Sequence, residues 1–257
     1  MSERYEKRNS KKSAKSIVVL LITIVCLGIM IYSGYNIFVW WQENQKNKEL
    51  MGKIEQEVNI YENKNVNDIE KYNIDFKELK KTNNDIVGWL KVWGTEVEFP
   101  VVKTVNNEFY LTHSLDKSNN TSGWIFADCN NKLDGTDKNI VIYGHNRRDN
   151  SMFGTLKNIL NKEWYENKNN LFIPFIKENK SDIYEVFSVY KIEKENYYIT
   201  TDFENDLEFK KYIDTVKSRS VKDFNVDVST KDELLTLSTC ANNNKYRVVL
   251  HAKKIEQ

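Results

Sequence analysis

The chain has 257 residues and a formal net charge of +1, room for one domain with appendages and too balanced for bulk electrostatics to favour an acidic partner. No basic stripe interleaved with aromatics occurs, which argues against nucleic acid as a partner. The three cysteines, Cys26, Cys129 and Cys240, lack C-x-x-C spacing for zinc and are too few for a disulfide scaffold, although a Cys129–Cys240 bridge stays open on the sequence alone.

In chain order, residues 1–16 form a basic tail with Arg4, Lys7, Arg8, Lys11, Lys12 and Lys15. Residues 17–41 follow without a formal charge. As a helix rising ~1.5 Å per residue they would run about 37 Å, enough to cross a hydrocarbon core of roughly 30 Å with some tilt. Tyr32, Tyr35, Trp40 and Trp41 cluster at the far end, as an interfacial belt would. The expectation is an uncleaved single-pass anchor in the cell membrane, with a cytoplasmic N-terminus and the remainder outside. A cleaved signal peptide is the rival, but the run exceeds a typical h-region and no small-x-small cleavage site follows it.

Residues 42–84 are polar, with Leu50, Ile54, Val58 and Tyr61 at helical spacing and a second short helix over Asp75–Lys81. They are expected to form an N-terminal helical appendage. From residue 85 to 257 the texture changes to short strands rich in Val, Ile, Phe, Tyr and Trp: Ile86–Trp93, Val97–Thr104, Gly123–Asp128 and Asn139–Tyr143. Ser151–Asn161 reads as a helix with Met152, Leu156, Ile159 and Leu160 on one face. Asp182–Glu193 is a long alternating strand. The insertion Lys194–Lys231 holds a helix over Asp206–Lys217, capped by Asp202 or Asn205. Two strands close the chain, Glu233–Thr239 running into Cys240, and Tyr246–His251 after a polar turn at Asn242–Lys245. Evenly spaced strands of this kind suggest a mainly β fold and a closed barrel.

Cys240 ends one strand and Arg247 starts the next. A thiol has a pKa near ~8.5 and attacks as the thiolate, so it needs a base or cation nearby. A lone strand-end Cys is otherwise a small apolar filler. Of the three histidines, His113 lies in a strand or turn. His251 shares a strand face with Arg247 but sits more than about 10 Å along it. His145 ends a strand just after Gly144, where a side chain can be presented at a barrel rim.

The strings TLSTC, with Cys240, and RVVLHAK, with Arg247, resemble the active-site segment of sortases, and the TLSTC form looks like class B. The resemblance extends over VGWLKV near Trp89, FPV near Pro100, GWIF-D at Gly123–Asp128, IVIYGHN with His145, and NYYITTDFEND near Tyr198. It implies a closed eight-stranded sortase β-barrel, with N-terminal helices and a helix in the long loop before the penultimate strand. It also implies a cysteine transpeptidase that cuts a C-terminal sorting signal of N-P-x-T-N type after its Thr. The acyl group would pass through a thioacyl intermediate to a peptidoglycan amine, on lipid II or a cross-bridge. Expected partners are therefore surface proteins bearing the signal, that cell-wall amine and the membrane.

In this reading Cys240 is the nucleophile, His145 the general acid and base, and Arg247 the oxyanion or substrate donor. By position, Asn107, Leu111, Tyr198, Ile199 and Ser238 would contact the signal. One departure is Ala241, where several class B members carry an acid. No metal or cofactor is expected, since nothing resembles a calcium site of clustered acids. The alternatives are a pilin polymerase with a protein Lys acceptor, a secreted Cys–His peptidase, and a non-enzymatic membrane-anchored binding domain.

Overall fold

A computed structural model describes residues 2–57, 74–240 and 245–255, with the backbone alone for residues 2–14 and Cys240. The chain divides into two compact units, Met1–Lys46 and Asn47–Gln257. Helix α1 runs from Ser2 to Glu57. Among the described residues it is the one helix long and apolar enough to cross a membrane, and side chains such as Ile24, Ile31 and Ile37 on it are exposed. Val58, Tyr61, Ala241 and the turn at 242–244 lie outside the described residues.

In the second unit, the end of α1 is held by polar and apolar contacts together. Ile54 is buried, and the side-chain oxygen of Asn47 accepts from Ser114 Oγ at 2.6 Å and Asn120 Nδ2 at 3.0 Å. Helix α2 (Phe76–Thr82) starts where Asp75 accepts from the Glu78 N–H and buries Phe76 and Leu79. A carboxylate at this position satisfies an otherwise orphan donor of the first turn.

Eight strands follow: β1 (Ile86–Val92), β2 (Val97–Val102), β3 (Phe126–Ala127), β4 (Asn139–His145), β5 (Phe172–Lys177), β6 (Lys180–Glu193), β7 (Leu234–Cys240) and β8 (Tyr246–Lys254). They close into a barrel in the order β1-β2-β3-β4-β7-β8-β6-β5. The β2/β3 and β4/β7 pairs are parallel and the rest antiparallel. Closure removes the exposed edges that an open sheet would present. The interior is filled by Leu90, Ile140, Ile142, Phe175, Leu235, Leu237 and Leu250, all essentially inaccessible to solvent.

Three features depart from the expectations. The segment 151–161 is not a helix of one apolar face. It is a run of turns followed by a 3-10 turn at Leu156–Leu160, with α3 (Lys162–Glu166) behind it. Met152 takes φ +51° and pairs with Asn146 across an isolated bridge, a left-handed geometry that breaks any α-helix. Strand β5 went unread because Pro174 interrupts it. That proline is tolerated at a place where the β1 ladder covers only Phe175 and Ile176, consistent with proline lying where a sheet demands no donor. Strand β3 is also shorter than Gly123–Asp128.

The outer face of β7, β8 and β6 carries a second apolar cluster, under helix α4 (Asp206–Ser218). Phe209, Tyr212, Ile213 and Val216 of α4 pack on Phe187, Leu234 and Val249. A 13-residue helix is marginal alone, so this buried face holds it in place. Asn205 caps it, accepting from the Glu208 N–H at 3.1 Å.

Within this cluster His251 is fully buried, and burial alone lowers its pKa from 6.5 to about 3. The unfolded chain then binds the extra proton between about 6.5 and 3 while the folded chain does not. The contribution of neutral His251 is complete above about 6.5 and is lost as pH falls toward 3. In urea unfolding between pH 7 and pH 4, the wild type should lose stability on acidification more steeply than His251→Phe. The excess slope approaches one proton, about 1.4 kcal/mol per pH unit; equal slopes would contradict it.

Candidate active site

Strands β4 and β7 pair without a slip from Asn139↔Leu234 to His145↔Cys240. Parallel neighbours in register bring residues of equal parity to the same face, so positions 145 and 240 are lateral neighbours. Strand β8 pairs with β7 from Leu234↔Lys253 to Ser238↔Val249. The same register, carried two residues further, sets position 240 level with Arg247. His145, Cys240 and Arg247 thus occupy one transverse row across three adjacent strands. Thr239 Oγ1 accepts from the Val248 N–H at 2.9 Å, which ties together the residues flanking positions 240 and 247.

His145 is 6% exposed. Its Nε2 lies 2.7 Å from the carbonyl oxygen of Leu111. A carbonyl only accepts, so the bond requires Nε2–H and makes Nδ1 the basic nitrogen. Leu111 ends the 3-10 turn Phe109–Leu111, and the neighbouring Tyr110 carbonyl accepts from Trp124 N at 2.9 Å. Gly123 makes this close approach possible. Its φ is +59°, and a Cβ there would lie 2.5 Å from Tyr110 O and 2.9 Å from His145 Cδ2. Arg247 is 8% exposed, pairs with Ile192 of β6, and donates from Nη1 to Tyr246 O at 3.4 Å.

The remaining residues singled out by sequence fall into two groups. Asn107 and Leu111 lie on the His145 side. The Asn107 side chain donates to Asp128 Oδ2 and accepts from the Cys129 N–H, both at 2.8 Å, while Asp128 Oδ2 also accepts from Tyr143 OH at 2.7 Å. Tyr198 and Ser238 lie on the α4 side. Both are 2% exposed, with their hydroxyls 3.2 Å apart. Ile199 is partly buried against both apolar clusters. Ser238 is one alternation before position 240 on β7, so Tyr198 rests directly beside the row.

The other histidines are built into the structure. His113 stacks on Phe109 at 4.0 Å and bonds its carbonyl at 2.8 Å, and His251 is enclosed. Cys129 is a free, half-buried thiol, so the bridge left open by sequence is not formed. Among the described residues no cluster of His, Cys, Asp and Glu is placed to hold a metal ion. Sequence reasoning missed Gly123, whose signal was a glycine directly before Trp124, and the Leu111 carbonyl, which a sequence does not reveal.

A basic imidazole beside a strand-end cysteine position, with a guanidinium in the same row, can support acyl transfer through sulfur. The sortase domain family matches residues 90–255. The chain belongs to the sortases, class B. It is 34% identical to Sortase B of Listeria monocytogenes over 94% of this chain and 98% of that protein. The crystal structure of Clostridium perfringens sortase B superposes with a TM-score of 0.65 at 37% identity, covering 70% of this chain and 99% of that one. A sortase B crystal structure complexed with triglycine superposes with a TM-score of 0.71 at 33% identity, over 84% and 98% of the two chains. This class B sortase is accordingly a cysteine transpeptidase on a closed eight-stranded barrel.

Gly123→Ala combines left-handed strain with collision against the histidine mount. It is expected to cost about 1–3 kcal/mol of stability and about tenfold or more in turnover, because the displaced His145 ring would lose its alignment with position 240. Gly135→Ala is the control, since φ there is +93° but nothing lies within 4 Å of the added Cβ. It should cost stability alone. Denaturation midpoints and peptide-cleavage rates measure both variants, and equal turnover loss in the two would remove the steric argument.

Proposed function

We propose that this sortase cleaves a C-terminal sorting signal of N-P-x-T-N type after its Thr and joins the acyl group to a peptidoglycan amine. The observation that carries the reading is the register placing His145 and Cys240 as partners, with Arg247 on the continuation of the same row. Cys240 as thiolate attacks the Thr carbonyl carbon and forms a tetrahedral oxyanion. Arg247 donates to that oxygen, using a planar fork whose charge does not titrate. The C–N bond then breaks, and His145 hands its proton to the departing amine. A thioester between Thr and Cys240 remains. The incoming amine attacks it, His145 takes one amine proton, and the thiolate leaves as the new amide forms.

Asn107 and Leu111 on one side, and Tyr198, Ile199 and Ser238 on the other, would border the groove for the signal. The amide of Asn107 has a second N–H with which to meet a peptide carbonyl. The burial of Tyr198 and Ser238 suits them to shape the groove floor. A relative crystallised with triglycine supports a glycine-type amine as acceptor. The length and apolar surface of α1 support a membrane anchor over residues 17–41, with residues 1–16 cytoplasmic and the barrel, residues 85–257, outside beside the cell wall. Residues 42–84 would be the appendage between them.

Fluorogenic sorting peptides, assayed with and without triglycine, test this reading. Cys240→Ala should abolish cleavage, and His145→Ala should reduce it by about 10²–10⁴-fold. Arg247→Lys should lose about 10–100-fold, since a point charge does not replace two aimed donors. An amine-linked product is expected in the presence of triglycine. Hydrolysis indifferent to the amine and to Arg247 would mark a peptidase instead.

A further inference from the structure

The outer face of the β4-β7-β8 sheet carries three successive rows. The first is the row of His145 and Cys240. The next is Tyr143, Ser238 and Val249, and the third is Val141, Thr236 and His251. The third row holds polar side chains that the reaction does not use. Thr236, His251 and Asn139 are wholly inaccessible to solvent, and Tyr190 and Tyr212 nearly so. Buried polar groups of this number are kept only when every donor finds an acceptor.

Here the donors run in one direction. Tyr197 OH donates to Tyr190 OH at 3.3 Å, and Tyr190 OH lies 2.9 Å from His251 Nε2. His251 Nδ1 lies 2.8 Å from Thr236 Oγ1. The single hydroxyl proton of Thr236 goes to Asn139 Oδ1 at 2.7 Å, so Thr236 accepts from His251 and the proton of the ring sits on Nδ1. Nε2 is then an acceptor for Tyr190. Asn139 Nδ2 donates to the Thr200 carbonyl at 2.8 Å and to Tyr212 OH at 3.0 Å. Tyr212 OH donates to the Tyr198 carbonyl at 2.9 Å. The chain of bonds therefore leaves the segment at Tyr197 and returns to it at Tyr198 and Thr200. Neutral imidazole is the one link that both accepts and donates through a rigid ring, and burial favours that neutral form.

We propose that His251 is a positioning residue for the substrate-facing wall. By closing this circuit it holds the segment Tyr197–Thr200, and with it Tyr198 against Ser238, in the shape that receives the sorting signal. The inference rests on the proposed placing of Tyr198 and Ile199 at the groove. His251 stands two rows away from position 240 on the same sheet face, so its effect falls on recognition and not on the thiol.

The test uses the full chain in detergent, comparing wild type with His251→Phe, His251→Gln and Tyr190→Phe. Phe keeps the ring and removes both bonds; Gln restores one acceptor and one donor; Tyr190→Phe breaks the circuit at a milder site should His251→Phe fail to fold. Hydrogen exchange at the amides of 197–200 should accelerate by about tenfold or more in His251→Phe and Tyr190→Phe. KM for the signal peptide should rise by about tenfold, with kcat and the rate of Cys240 alkylation by iodoacetamide nearly unchanged. His251→Gln should recover much of the KM. Unchanged exchange in 197–200 overturns the proposal, as does a loss confined to kcat or to thiol reactivity. If the wild type turns over no sorting peptide, it is the proposed function that fails, and the exchange arm still decides whether His251 holds the segment.

Discussion

The parallel pairing of β4 with β7 sets everything else at the site. Seven consecutive residue pairs, from Asn139↔Leu234 to His145↔Cys240, run without a bulge. A slip by one residue would turn position 240 to the opposite face of the sheet. It would also drive Thr236 and Ser238 inward beside Ile140, Ile142 and Leu250, where their hydroxyls would lack partners. The register is thus enforced twice, by apolar packing inside the barrel and by hydrogen bonds outside it. Chemistry that needs an imidazole next to a sulfur takes its alignment from interactions made for folding.

Around that row the protein works with backbone as much as with side chains. The histidine is oriented by the Leu111 carbonyl, and that carbonyl is reachable because Gly123 leaves room for it. On the other side, α4 and the segment before it are fixed through Tyr198, Tyr212 and Asn139. The two walls differ in kind. The Leu111 side is a loop pinned by a close approach, whereas the Tyr198 side is a helix docked on an apolar cluster with a polar circuit beneath.

Much of this could be read from the chain itself. Strands β1, β4, β6, β7 and β8 announce themselves through runs of Val, Ile, Leu and Tyr bounded by turn residues, and α4 through Tyr212, Ile213 and Val216 with Asn205 as cap, although Leu207, which shares their helical spacing, is exposed and Phe209 is buried in its stead. Cys240, His145 and Arg247 could be picked because each stands at a strand end within a recognisable string. What stayed hidden was non-local or conformational. Strand β5 was masked by Pro174, because a sequence does not reveal where a ladder stops. Residues 151–161 carry helical spacing, yet Met152 at φ +51° shows tertiary contacts overriding propensity. The tautomer of His145 depends on a carbonyl 34 positions away, and no periodicity encodes that.

The strand order of the barrel has a consequence for how the protein matures. β7 sits between β4 and β8, so the gap it fills stays open until nearly the whole polypeptide has been made. Pairings so distant in sequence are slow to form, because a long intervening segment must be ordered first. A ribosome stalled anywhere before residue 234 therefore yields a product with an unzipped wall and without position 240. The row of positions 145, 240 and 247 is assembled only with the closing hairpin.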